Sequence, residues 1–320
     1  MIVTVTLNAA LDRTLTVPNF QRGQRHRASA GLTLPGGKGI NIARALKALD
    51  VPVVATGLAG GQVGTRIVAD LTAEAILNDF VPIAGESRTS TAVVDPMTSS
   101  YTEINEWGPH VEPDELEILG RKIHYLARDA DTVVFAGSLP RGVPDTVYAD
   151  AIRDLNRRGV RPVIDSEGMA LRLGVEAEPF LVSPNQREAE GLAGQEFHDD
   201  DDFAMALGAI AEMGARNVLI TLETGCFALL RGEGRQVRRF RAVAPDVEPV
   251  SAVGSGDVLL AAFLAARADD RPLDEALRAA VATGAASTLV VGAGRFDPRD
   301  LGRLVPQVRV TELDAVPAHG

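Results

Sequence analysis

Short apolar runs alternate with longer segments of helical period along most of this chain. Residues 1–7 are a nearly continuous run rich in β-branched residues, which predicts a buried strand. Residues 40–49 place apolar side chains at 42, 45, 46 and 49, one face of an amphipathic helix. By the same reading, strands are predicted over 51–57, 131–136, 160–165, 180–183 and 217–221. Helices are predicted over 64–75, 115–127, 144–158 and 203–213, with a helix start at 187–192 and two Ala-rich helices at 257–267 and 273–290. Segments 227–231 and 236–241 read as a hairpin. Strand-then-helix repetition predicts an α/β fold with a mostly parallel central sheet and helices on both faces.

Two stretches break this rhythm. Residues 13–34 hold short, mixed, β-like pieces around Pro18 and Gly23. Residues 88–95 alternate and are rich in Thr and Val, and 101–105 is the expected partner strand across a turn at 96–100. These pieces predict a small β sheet built from about 12–34 and 86–107. Such a sheet cannot bury both faces, so one face should cover a ligand cleft, a partner subunit or both. No repeat and no low-complexity linker interrupts the chain. The expectation is one domain over 1–320 with a β lid, and a homodimer formed through that lid.

Composition narrows the class. The chain has 320 residues, 46% of them hydrophobic, which is enough for a large core. Lys and Arg number 32 against 43 Asp and Glu, a net charge of −11, and no basic run is present. That argues against nucleic acid or an anionic membrane as partner, and leaves room for a small anionic substrate. Cys226 is the single cysteine, so no intrachain disulfide can form; this fits a reducing cytoplasm. It reads as a small buried residue. The start of the chain lacks the basic residues and small-residue cleavage site of a signal peptide. The longest uncharged run, 279–294, is too short and too Gly-broken to span a membrane. The five histidines show no metal-ligand spacing.

Candidate chemistry gathers where glycines meet helix starts. Ser251-Ala252-Val253-Gly254-Ser255-Gly256-Asp257 runs straight into an apolar helix. Glycine lets backbone approach a ligand, and the helix start offers unpartnered N–H groups with positive dipole character. Together they suit a phosphate. A capped helix after a Gly-rich turn would give the same heptapeptide. Upstream, Pro35-Gly36-Gly37-Lys38-Gly39 leads into the helix at 40–49 and brings a Lys and an Asn. The upstream stretch is not a Walker A loop, and no dinucleotide fingerprint follows the first strand. Two Gly-led helix starts, one carrying Lys38 and the other Asp257, suggest two phosphorylated or polar ligands held face to face. Asp12, just past the first strand, stands where open α/β sheets place ligand groups, and also where a turn Asp would stand.

Gly36-Gly37-Lys38-Gly39-Ile40-Asn41-Ile42-Ala43 resembles the first signature of the ribokinase-like sugar kinases, and Val253-Gly254-Ser255-Gly256-Asp257 their second. Residues 7–12, 85–89, 102–106, 137–140 and 184–188 resemble the branch that contains 1-phosphofructokinase and tagatose-6-phosphate kinase. The resemblance runs in order along nearly the whole chain. It implies phosphoryl transfer from ATP, with Mg²⁺, to a hydroxyl of a sugar phosphate. By resemblance Asp257 is the general base, and the backbone N–H groups of Gly254, Ser255 and Gly256 form the anion hole. Asp12, Gly37 and Asn41 would hold the sugar hydroxyls. Lys38 and Arg88 would hold the phosphate already on the sugar, with Arg27 a third candidate and Ser138 on the substrate side. Asn185 and Glu188 resemble a pair supporting Mg²⁺, Glu188 through water; a helix start with an acid in its first turn gives the same pattern. Thr221, Gly225 and 283–288, including Ser287, would line ribose and adenine.

Three departures qualify the match. Ser183 stands where a Lys is common, Leu222-Glu223-Thr224-Gly225-Cys226 differs from the usual Leu-Gly-x-x-Gly, and Ala252 replaces a common Thr. Two other functions fit the same frame: a kinase of an unphosphorylated sugar or nucleoside, and a non-catalytic sugar-phosphate sensor.

Overall fold

The computed structural model describes residues 1–98, 100–232 and 236–313. The chain opens with β1 (Ile2–Thr6), β2 (Ala10–Thr16), β3 (Ala30–Gly36), α1 (Lys38–Ala48), β4 (Val53–Gly60) and α2 (Gly61–Ala73). It continues with β5 (Leu77–Ile83), β6 (Arg88–Asp95), β7 (Ser100–Asn105), α3 (Pro113–Leu126), β8 (Thr132–Ala136) and α4 (Val147–Arg157). Then come β9 (Arg161–Asp165), α5 (Gly168–Glu176), β10 (Leu181–Val182), α6 (Gln186–Ala193), α7 (Asp200–Glu212) and β11 (Val218–Leu222). The last elements are β12 (Gly225–Arg231), β13 (Val237–Val243), α8 (Ser255–Ala268), α9 (Leu273–Ser287), α10 (Pro298–Leu304) and β14 (Arg309–Leu313).

Ten strands form one sheet in the order β14-β13-β12-β11-β10-β9-β8-β1-β4-β5. From β11 to β5 neighbouring strands are parallel, and β12 to β14 add on antiparallel. The period of two along β1 explains the two-faced core. Val3 and Val5 point to the layer holding Leu119, Ile152, Leu171 and Leu207 of α3, α4, α5 and α7. Ile2 points to the opposite layer, with Ile42, Ile67, Leu260 and Leu277 of α1, α2, α8 and α9. The α/β architecture with a mostly parallel sheet is therefore as the periodicity predicts.

Elements without a strong pattern escaped it. β5 and β14 are the two sheet edges, and edges need less apolar sequence; Pro82 is tolerated in β5 because an edge strand spares one donor row. α5 carries Gly168 and Gly174 in only nine residues, a weak helix signal. α8 begins at Ser255, two residues earlier than the predicted start at 257. β12 and β13 pair antiparallel as expected, and their connecting turn lies partly outside the described residues.

A second sheet has the order β3-β2-β6-β7. β2 pairs antiparallel with β3 and parallel with β6, so chain segments far apart in sequence share one surface. Asp12 is thereby a residue of β2, opposite Leu34 and Ser90, and not the turn residue that its place after β1 allowed. Every residue of β7 is exposed.

Candidate active site

In a parallel sheet the carboxyl ends of the strands face the starts of the following helices, and ligands bind in that crevice. Here the ends of β9, β10 and β11, the starts of α1, α6 and α8 and the smaller sheet enclose a cavity of about 960 Å³. Asp12, Gly37, Lys38, Asn41, Arg88, Asn185, Thr221, Gly225, Gly254, Ser255, Gly256 and Asp257 all line it.

α8 starts at Gly254 with no side-chain cap, and Gly254 takes φ 78°, a left-handed conformation that a side chain would disfavour. An ordinary capped helix is thereby excluded. Asp257 is 6% exposed and does not fold back on its own helix; its Oδ2 accepts from Asn41 Nδ2 at 2.8 Å. Among the described residues the amides of Gly254, Gly256 and Asp257 have no backbone acceptor, while the Ser255 amide donates to Ala252 O at 3.2 Å. The open donors are thus Gly254, Gly256 and Asp257, and the expected Ser255 amide is already used.

Lys38, the first residue of α1, lines the cavity together with Arg88 but has acidic partners of its own. Its Nζ donates to Asp165 Oδ1 at 2.6 Å and to Glu188 Oε1 at 3.2 Å. Burial works against its charge, but Asp165, Glu188 and Asp257 outweigh that and hold the ammonium charged well above the ordinary lysine range. Arg88 lines the same cavity from β6, with Nε donating to Asn8 O at 3.3 Å and Nη1 to Asn105 Oδ1 at 3.1 Å. Arg27 is exposed in the connection between β2 and β3, outside the cavity lining.

Three carboxylates in and beside the crevice, Asp257, Asp12 and Glu188, resist ionisation. Burial, reinforced by Asp165 and Glu188 and opposed by Lys38 and Asn41, pushes Asp257 up to about 7. Burial also pushes Asp12 up to about 6, with Arg88 working against it and Glu103 adding to it. Glu188 is raised too, by burial, against the pull of Lys38.

Asn185 and Glu188 form a reciprocal capping box. Asn185 Oδ1 accepts from the Glu188 amide at 2.9 Å, and Glu188 Oε2 accepts from the Asn185 amide at 2.8 Å. The helix-start explanation of this pair is therefore true of the structure. Both Glu188 oxygens are engaged, by its own helix and by Lys38. Among the described residues no group of three or more His, Cys, Asp or Glu could hold a metal ion. This donor set fits Mg²⁺ that keeps its waters and takes phosphate oxygens, not a cation caged by protein.

Two expected contacts, Ser138 and Ser287, are placed differently, and Gly225 has a second reason to be glycine. Ser138 accepts from Asn8 Nδ2 at 3.1 Å and lies outside the cavity lining. Ser287 is buried and donates to Gly284 O at 2.7 Å, because α9 turns it inward; Gly284, Ala285 and Thr288 face the cavity instead. Gly225 lines the cavity, but backbone packing also demands a glycine there, since a Cβ would lie 2.0 Å from Ala242 O.

Two residues of the cavity wall had no role assigned by the sequence. Asp165 ends β9, a strand-end acid of the same kind as the one that drew attention to Asp12. Ser183 had been noted only as a missing cation; its Oγ is buried on the cavity wall with no hydrogen-bond partner among the described residues.

A crevice that brings an open helix start and a buried carboxylate to one point is suited to moving a phosphoryl group onto a hydroxyl, the work of a carbohydrate kinase. The pfkB family of carbohydrate kinases matches residues 3–299, and the chain belongs to that family. It is 31% identical to 1-phosphofructokinase of Bacillus subtilis (strain 168) over 315 residues, 98% of this chain and 100% of the relative. It is 30% identical to 1-phosphofructokinase of Borreliella burgdorferi over 313 residues, 98% of this chain and 99% of the relative. Among solved structures, phosphofructokinase-2 from Escherichia coli in complex with substrates and products aligns at a TM-score of 0.86. That alignment has 28% identity and covers 95% of this chain and 98% of the other. A tetrameric inhibited form of the same enzyme aligns at 0.84 with 28% identity, over 95% of this chain and 98% of the other.

Proposed function

We propose that this carbohydrate kinase transfers the γ-phosphoryl of ATP to a ketohexose phosphate, as a 1-phosphofructokinase or tagatose-6-phosphate kinase does, with Asp257 as general base. The observation that carries the reading is the placement of Asp257. It is buried, fixed by Asn41, next to open helix-start amides, and within the field of Lys38.

In the proposed reaction the acceptor hydroxyl gives its proton to Asp257 as its oxygen bonds to phosphorus. The bond from phosphorus to the ADP oxygen breaks on the far side. The amides of Gly254, Gly256 and Asp257 receive charge that develops on the phosphoryl oxygens. Lys38, held by Asp165 and Glu188, supplies a cation there; this reassigns it from the substrate phosphate. Arg88 on the smaller sheet takes that phosphate, where a planar guanidinium can donate two parallel bonds. Asp12, Gly37 and Asn41 orient the sugar hydroxyls. Asn185 and Glu188 would hold water around Mg²⁺, which would shield the negative charge of the nucleotide phosphates. Thr221, Gly225 and Thr288 border the nucleotide.

The smaller sheet acts as a lid on one domain, and its exposed outer strand joins two copies into a homodimer. A cytoplasmic setting fits the lone, buried Cys226. Among the described residues no helix is long and apolar enough to cross a membrane.

The decisive experiment measures ADP release with fructose 1-phosphate, fructose 6-phosphate and tagatose 6-phosphate, beside ribose and a nucleoside. ADP with at least one ketohexose phosphate is expected. Turnover only with unphosphorylated acceptors would overturn the substrate class, and no ADP with any acceptor would leave a sugar-phosphate sensor.

A further inference from the structure

Behind Asp257 lies a guanidinium that stands outside the cavity lining. Arg44 of α1 is 7% exposed. Its Nε and Nη2 fork onto Glu74, just past α2, at 2.6 and 3.2 Å. The remaining donors reach three segments that build the site. Nη2 donates to Pro35 O at 2.8 Å, two residues before the α1 start at Gly37. Nη1 donates to Ala293 O at 3.2 Å, and Ala293 packs against Gly254, where an added Cβ would lie 2.9 Å from Ala293 Cβ. Nη1 also reaches Asn41 Oδ1 at 3.4 Å, while Asn41 Nδ2 donates to Asp257 at 2.8 Å.

We propose that Arg44 is a positioning residue for the reaction: it fixes the Asn41 amide with Nδ2 toward Asp257 and ties the loop behind Gly254 to α1. The proposal rests on the reading of Asp257 as the base. An amide side chain has one accepting end and one donating end, and a half-turn exchanges them. A guanidinium offers only donors, so it accepts only the oxygen end as neighbour. With Oδ1 on Arg44, the other end must donate to Asp257, and a donor favours the ionised carboxylate that can take a proton. Without Arg44 the amide can turn and accept from the protonated acid instead. The other charged groups facing Asp257 are Asp165 from β9, Glu188 from α6 and Lys38 from α1. Arg44 hydrogen-bonds none of them; its ion-pair partner is Glu74, and its charge also acts on Asp12.

The test compares Arg44→Met, Arg44→Lys, Glu74→Gln and the double variant Arg44→Met/Glu74→Gln, each checked for folding by circular dichroism. Arg44→Met should lower kcat about tenfold to a hundredfold with little change in KM, as expected of a misplaced reacting group. Its acid limb should move up by about half a pH unit or more as the protonated acid gains an acceptor. Arg44→Lys should recover part of both effects. The double variant, which removes both charges, should keep the upward shift. Adding Arg44→Met/Glu74→Gln to Asn41→Ala should give no further shift, because the link is already broken and both charges leave together. A folded Arg44→Met enzyme with the parent's kcat and acid limb would overturn the proposal. Should Arg44→Met not fold, Glu74→Gln decides: loosening the fork predicts an upward shift, whereas loss of a negative charge alone predicts a downward one. Carbon-13 titration of the Asp257 carboxyl in the same variants reads the shift without turnover. An active Asp257→Asn enzyme would remove the base reading, while the effect of Arg44 on Asp257 would still stand or fall on that titration.

Discussion

A carboxylate sealed from water resists losing its proton, and Asp257 is held at about 7 mainly by burial. A base must be ionised before it can act, so turnover should rise with pH through an acid limb near 7 and level off above it. A pH profile of kcat with the best substrate checks this. Asp257→Asn should reduce kcat by about 10²- to 10⁴-fold while KM changes little. The same residue strains the fold. Between its ordinary value of 3.8 and about 7, the folded protein keeps a proton that the unfolded chain releases. Stability from this group is therefore complete at low pH and lost as pH rises through about 7. Asp257→Asn removes that loss, so above the acid limb it should melt roughly a few degrees higher than the parent. The gap should close below about pH 4, which thermal melts across the range would show.

At the scale of elements, two helix starts that each carry an acid in the first turn are built differently. α6 is closed by its own capping box, so Asn185 and Glu188 hold their helix before they hold anything else. α8 has no side-chain cap, and that leaves its amides open to a ligand. Gly254 makes this possible through its left-handed φ and its contact with Ala293. Gly254→Ala should therefore destabilise the protein by roughly 1–3 kcal/mol and depress kcat beyond the loss of folded enzyme. Denaturant melts and active-site-normalised rates would separate the two effects. A stability loss without a rate defect would mean that the α8 start is scaffold only. The glycine-to-helix junctions were legible because glycine followed by an apolar run is a local signal. Whether a cap closes each junction was not, because the choice depends on where Asn41 and Lys38 of another helix lie.

The whole molecule sets what one chain can leave exposed. β7 turns Tyr101, Ile104 and nearby Trp107 to solvent at 53%, 61% and 85% exposure. Apolar groups of that size on an unpaired edge strand favour a partner, and a second copy of this sheet is the proposed one. Light scattering at micromolar concentration should report two chains for the parent. Ile104→Asp should shift the protein toward one chain, since it places a charge where apolar surface would be buried. An Ile104→Asp protein with the parent's mass would exclude β7 as the interface.

The sequence by itself determined the layers: alternating strand and helix periods require a mostly parallel sheet covered on both faces, and Thr- and Val-rich insertions require a second small sheet. It also marked Asp257, Lys38, Asn41 and Asp12, because glycine junctions and strand ends are readable over a few residues. Only the tertiary structure decided who meets whom. Lys38 pairs with Asp165 and Glu188 across 127 and 150 residues of chain, and Asn41 reaches Asp257 across 216. Nothing local records such partners, because the energy of a buried charge is fixed by the groups that folding brings around it.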